Sequence, residues 1–208
     1  MTRSQLLTWK AWGLAGLVSG LAIYNWGHNF AWQPASLNPY SIFPLLGLLA
    51  FSLMWTHYVL GAARRLLGVD RQAIQAQLQI TGYVVLVCIL LHPTLLIYQR
   101  WRDGFGLPPH SYMSFVLPSV AWVTLLGTLS WLVFMAYELK HWLGQKSWWI
   151  WVVRANSLAM LAIFYHGLRL GTDLQLGWYH TVWWFYGVSL AASLIVIYYK
   201  DIKEGKPV

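Results

Sequence analysis

The sequence predicts an all-α integral membrane protein, a bundle of six helices with both termini in the cytoplasm. Three observations predict it. Hydrophobic residues fill 58% of the 208 positions and charged residues only 10%, a balance unlike that of a soluble domain. Apolar runs of the length that crosses a bilayer, about 20 residues, recur along the whole chain. They are too continuous for the alternating strands of a membrane barrel, and backbone groups left unpaired in lipid exclude open sheets. Basic residues, finally, gather in every second connection.

The spans fall at residues 10–26, 42–62, 78–98, 115–137, 149–170 and 178–199, and together they make residues 1–208 a single transmembrane domain. Span one begins almost at once, is long enough to cross and lacks a small-residue cleavage site, so it is expected to stay attached. Its Gly16 and Gly20 suggest a close helix contact. Span two carries His57 in MWTHYVLG, toward its inner end. Span three carries Cys88, a lone cysteine expected to be a small core residue, and then His92 and Pro93 in LLHPTLLIY. Span four runs into YELK. Span five, entered through LGQKSWW, holds Arg154 just inside and His166 in AIFYHGLRLG. Span six opens on GWYHTVWW, with His180 near the outer surface.

Charge sets the orientation. The N-terminus, the 63–77 and 138–148 loops and the C-terminal tail share one side. That side carries ten basic residues, Arg3, Lys10, Arg64, Arg65, Arg71, Lys140, Lys146, Lys200, Lys203 and Lys206; the other has three, Arg100, Arg102 and Arg169. This asymmetry puts both termini in the cytoplasm of a multi-pass protein of the cytoplasmic (inner) membrane. The net charge of +8 is then mostly a topology signal. Its spread over short loops points to anionic lipid headgroups and away from nucleic acid. Many of the 15 tryptophans sit near span ends, among them Trp9, Trp12, Trp142, Trp148, Trp149 and Trp151 on the inner side and Trp26, Trp32, Trp101, Trp178, Trp183 and Trp184 on the outer. They read as interfacial anchors.

Chemistry is sparse and concentrated in histidine. An imidazole inside hydrocarbon is costly and usually has a task. His92 and His166 lie at matching depth near the outer ends of spans three and five, so they read as two ligands of one buried cofactor, and a b-type haem fits best. The competing reading for each is a packed, hydrogen-bonded core histidine. Pro93 breaks a backbone hydrogen bond and can bend its helix around something bulky. Ala159 and Ala162, seven and four residues before His166, share its helical face and would leave room for a flat macrocycle. Arg169 lies one turn further out, where propionates would point, or is an ordinary interfacial arginine. His180 is the reserve ligand and His57 a second reserve; His28, His110 and His141 fall in loops and read as solvated.

The spacing from Gly82 to His92 (G-x9-H), the LGTLSW turn into YELK, the LGQKSWW loop and the histidine about twenty residues beyond it resemble the ferric-reductase-like transmembrane domain superfamily. That superfamily includes ferric reductases, the membrane core of NADPH oxidases and the haem-binding membrane subunit of bacterial methionine sulfoxide reductase systems. The resemblance covers roughly residues 40–200. It implies a six-helix bundle with b haem between spans three and five, His92 and His166 as its axial pair, and Gly82 as part of the motif. Two-haem members carry further histidines about thirteen residues toward the cytoplasmic end of both helices, where this chain has Gln79 and Val153. One haem per chain is therefore expected.

The functional expectation is a haem b protein that passes single electrons within or across the membrane, as the membrane haem subunit of an oxidoreductase. Two imidazoles leave no axial position open, which favours electron transfer over oxygen binding. The chain has no P-loop and no glycine-rich nucleotide fingerprint in a strand-turn-helix setting, so a separate donor and acceptor, protein, quinone or flavin, must serve it. Nothing indicates a flavin or quinone held by this chain. No catalytic side chain is singled out, and the oligomeric state is left open. A non-redox membrane scaffold derived from the same bundle is the alternative. A small transporter is disfavoured because no acidic residue lies deep in a span. Reporter fusions in the 63–77 and 99–114 loops should report opposite sides of the membrane; same-side signals would refute the topology.

Overall fold

The computed structural model describes residues 2–33, 37–175 and 177–204. Lys206, counted above among the basic residues, lies outside them, and the side chains of His141 and Trp142 are likewise outside the description. All regular structure among the described residues is helical. Six long helices, α1 (Arg3–Asn29), α2 (Pro39–Leu67), α3 (Gln72–Arg102), α5 (Ala121–Glu138), α7 (Trp149–Leu170) and α8 (Trp178–Lys203), are accompanied by two single-turn helices, α4 (His110–Met113) and α6 (Lys140–Leu143). Short 3₁₀ turns at Pro118–Val120 and Thr172–Leu174 complete the chain.

Helices α1, α2, α3 and α8, and the stretch Pro118–Glu138 that ends in α5, are long and apolar enough to cross a membrane, five in all. They are compatible with a multi-pass membrane protein. Helix α7 coincides with the fifth expected span, but Arg154, Asn156, His166 and Arg169 make it more polar than these five. Its outward side is nonetheless apolar: Leu158 is exposed, as are Leu17, Val87, Leu125, Val188 and Ile195 on the other long helices. A water-soluble bundle would turn polar side chains to these positions.

Local chemistry explains most boundaries. A capping box of Thr2 and Gln5 starts α1, and a second of Asn38 and Ser41, with Pro39 in the first turn, starts α2. Span four was expected from residue 115, yet helix begins only at Pro118. Leu117 is held extended (φ −62°, ψ 142°) because a proline disfavours helical backbone in the residue before it. Helix α3 ends in a Schellman motif. The Phe105 N–H donates to the Arg100 carbonyl (3.0 Å) and the Gly104 N–H to that of Trp101 (3.1 Å), with Gly104 in the left-handed region at φ 85°.

Helix α2 is the hub, packed against α1, α3 and α8, while α7 packs along α5 and also meets α8. Aromatic pairs fill the α2–α8 seam: Phe51 and Trp183 lie 4.3 Å apart between ring centroids, Trp55 and Tyr186 4.6 Å. Helix α1 enters this core on a stripe of Ala11, Ala15, Val18 and Ala22, all buried. The expected close contact at Gly16 and Gly20 is not formed, since nothing lies within 4 Å of a Cβ built at either. The small residues on the stripe already allow close approach, and the helical twist turns these glycines to the opposite side.

Polar bonds tie the helix ends together. At one end Arg65 of α2 grips Asp201 of α8 with two bonds of 2.9 and 2.8 Å, and the Thr8 hydroxyl of α1 donates to the Ala73 carbonyl of α3. At the other, Asn29 donates to Asp173, and the Tyr40 hydroxyl to Asp103.

Direct contact between the α2–α3 pair and the α5–α7 pair is sparse, and one bond that bridges them originates in a proline. Pro93, inside α3, has no N–H for the carbonyl of Ile89 four residues back. The indole N–H of Trp131 on α5 donates to that carbonyl instead, at 3.0 Å. Trp131→Phe should leave the carbonyl unsatisfied and cost about 1–3 kcal/mol. Pro93→Ala should restore the helical donor and recover much of that loss. Unfolding in detergent of both single variants and the double variant measures the coupling; purely additive effects would disprove the link.

Candidate functional site

Between the two helix pairs lies a cavity of about 1040 Å³, at the upper end of the size range of small-molecule pockets. Its walls are mostly apolar. Its lining includes the exposed Asp103, Phe105, Phe115 and Thr172, at the end of the bundle that also carries Tyr40 and Asp173. His92 from α3 and His166 from α7 both face this space.

The two histidines are held in the same way. The Nδ1 of His92 lies 2.6 Å from the Phe43 carbonyl of α2, and the Nδ1 of His166 lies 2.9 Å from the Val123 carbonyl of α5. A carbonyl only accepts, so each Nδ1 carries the proton and each Nε2 is left with its lone pair. Neither Nε2 is hydrogen-bonded to another described residue. Four residues beyond each carbonyl stands a glycine. A Cβ at Gly47 would come within 2.9 Å of the His92 ring, and one at Gly127 within 2.6 Å of the His166 ring. The glycines let both rings lie flat against the backbone of the preceding helix, close enough to reach its carbonyl.

The arrangement therefore presents two neutral imidazoles, with tautomer and ring direction set by main-chain bonds, to one largely apolar space. That is how ligating histidines are usually oriented: the remote nitrogen is tied down and the near one is free to bind. Among the described residues no group of three or more His, Cys, Asp or Glu side chains is placed to hold a free metal ion.

The other expected site residues do not share this space. Ala159 is buried in the core cluster and Ala162 is half-buried; neither lines the cavity. Room comes instead from the separation of the helix pairs and from Gly47 and Gly127. Gly82 is half-buried on α3 with nothing within 4 Å of a Cβ. Arg169 is exposed and outside the cavity wall. Both ring nitrogens of His180 are occupied, Nδ1 by the Leu174 carbonyl at 2.6 Å and Nε2 by the indole N–H of Trp184 at 3.1 Å. His57 Nε2 bonds Thr81 Oγ1 at 2.7 Å, and that hydroxyl in turn donates to the Gln77 carbonyl. Gln79 and Val153 are both exposed.

The residues that sequence reasoning missed are Gly47, Gly127, Trp131 and Arg100. Gly127 and Trp131 belong to the LGTLSW motif, so their positions were marked without their tasks: one clears space for the His166 ring and the other serves the carbonyl that Pro93 orphans. Arg100, expected only as an outer charge, is 7% exposed and lines the cavity. No family model, curated protein or solved structure matches the chain.

The glycines supply a controlled comparison. Gly127→Ala should push the His166 ring off the Val123 carbonyl and cost about 1–3 kcal/mol by overpacking. Gly16→Ala, on an open helix surface, should be neutral or stabilise by up to about 1 kcal/mol through helix propensity. Thermal melts of the two variants decide it, and equal effects would remove the special role of Gly127.

Proposed function

We propose that this chain is a haem b membrane protein of the ferric-reductase-like type, with His92 and His166 as the axial pair of one haem, passing single electrons between separate partners. The observation that carries this reading is the matched Nδ1–H to carbonyl bond on both histidines, across one apolar cavity. The residues present fit the group. The cavity has the volume and apolar lining a porphyrin requires, and two neutral imidazoles are the donor set of a low-spin b haem. When bound, haem would supply a one-electron couple.

The chain's own residues would do the rest. His92 and His166 hold and orient; Phe43 and Val123 carbonyls make the imidazoles more basic by drawing on their N–H protons; Phe51, Met54, Ile89, Phe134 and Ile163 on the walls exclude water. Excluding water reduces the solvent reorganisation that accompanies a one-electron change, which suits electron transfer. Gln79 and Val153, facing outward, and His57, bonded to Thr81, favour one haem per chain. The reading includes six spans in the cytoplasmic membrane with both termini in the cytoplasm. The basic asymmetry supports it, as do the Arg65–Asp201 and Thr8–Ala73 bonds, which bring the last turns of α8 and the first turns of α1 to the same ends of α2 and α3.

The test is spectroscopic. Purified protein, oxidised and then dithionite-reduced, should give a low-spin b-type spectrum with one haem per chain by pyridine haemochrome. His92→Ala and His166→Ala should each abolish the low-spin spectrum, whereas His180→Ala should keep it. Absence of any Soret band in protein made with ample haem would leave the non-redox scaffold as the better reading.

A further inference from the structure

Arg100 is a cationic feature of the cavity wall that the two histidines do not account for. It lies eight residues beyond His92 on α3, about 12 Å of helix rise toward the mouth. The residue as a whole is 7% exposed, and arginine does not shed its charge. A cation taken out of water this far is costly unless an anion meets it. Among the described residues Arg100 has no ion pair within 4.0 Å; Asp103 feels its charge from further off, and the Tyr40 hydroxyl is its nearby polar neighbour. Its Nη2 donates to the Ser114 hydroxyl at 2.5 Å, its carbon lies 3.4 Å from the centre of the Phe105 ring, and its Nε has no hydrogen-bond acceptor.

The nearest acid is already engaged. Asp103, one turn on, accepts from the Tyr40 hydroxyl at 2.7 Å and from the Gln99 amide at 2.9 Å, and lies 3.9 Å from Arg102. The Tyr40 bond foremost holds its carboxyl below the ordinary carboxylate range. The other outer arginines, Arg102 and Arg169, are exposed and solvated. Backbone geometry fixes Arg100 in place: the Schellman turn at Gly104 swings Phe105 back beneath the guanidinium, where this motif usually puts an apolar contact. The cation is thus pre-set at the mouth, with its Nε donor unused.

We infer that Arg100 is the binding residue for a carboxylate at the cavity mouth and, resting on the haem reading above, that this carboxylate is a haem propionate. Arg100, not Arg169, then closes the outer edge of the site, and Ser114 and Phe105 orient its planar fork for that contact.

The full-length chain, produced under haem limitation and purified in detergent, is titrated with iron protoporphyrin IX and with its dimethyl ester, whose propionates carry no charge. Wild type should bind the free acid on the order of tenfold to a hundredfold more tightly than the ester. Arg100→Gln should lose that preference while keeping the low-spin spectrum, Arg100→Lys should keep part of it, and Arg169→Gln should match wild type. Equal binding of acid and ester by wild type, or undiminished preference in Arg100→Gln, overturns the inference and leaves the haem reading standing. The first of these results would assign Arg100 to another anion, a lipid phosphate or a free carboxylate. Should Arg100→Gln not accumulate, Ser114→Ala decides, because it keeps the cation and removes its orienting bond: a reduced preference supports the inference and an unchanged one overturns it. Binding of neither porphyrin by wild type sinks the haem reading itself, and this inference with it.

Discussion

A histidine in an apolar interior must place its N–H on an acceptor, and the acceptors chosen here are main-chain carbonyls of the preceding long helix. Both bonds, His92 to Phe43 and His166 to Val123, demand that the imidazole lie against a helix backbone. That demand requires glycine four residues on, at Gly47 and Gly127. Each bond also staples one helix pair, α2 to α3 and α5 to α7, into a unit. The cavity is the space these two stapled units leave between them.

Keeping that space open has a structural cost, met by groups that bridge it at its edges. Pro93 removes a donor from α3 directly beside His92, and Trp131 reaches across from α5 to supply one. A helix-breaking residue thereby becomes a link between the units. Behind the cavity, the aromatic seam of Phe51, Trp55, Trp183 and Tyr186 makes α2 and α8 a rigid wall. Such dense packing on one side and sparse contact on the other is what an inserted rigid ligand would need, since the ligand itself would complete the contact between the pairs.

Polarity along α7 follows from the same logic. Its Asn156 donates to the Tyr58 hydroxyl at 2.9 Å, and Ser157 accepts from Tyr198 at 3.1 Å. These bonds hold α7 to α2 and α8 below the cavity, where direct helix contact is thin. In hydrocarbon such side-chain bonds between helices are worth about 0.6–2 kcal/mol each. Asn156, Ser157 and His166 are thus used inward, while Leu158 and, near the helix end, Arg169 are exposed.

The sequence alone determined the helical class, the approximate extent of the long helices and the singling out of His92 and His166. Hydropathy, proline and charge act locally or along one helix, so they can be read from one chain. Tertiary structure decided the rest. It showed that the two ring nitrogens of His180 are taken up by Leu174 and Trp184. It put Gly47 and Gly127, not Ala159 and Ala162, beside the two rings, and Arg100, not Arg169, on the cavity wall. Each of these depends on which backbone carbonyl or ring approaches from a different helix. Contacts between helices far apart in the chain are fixed by packing and rotation about each helix axis, which no local pattern of residues specifies.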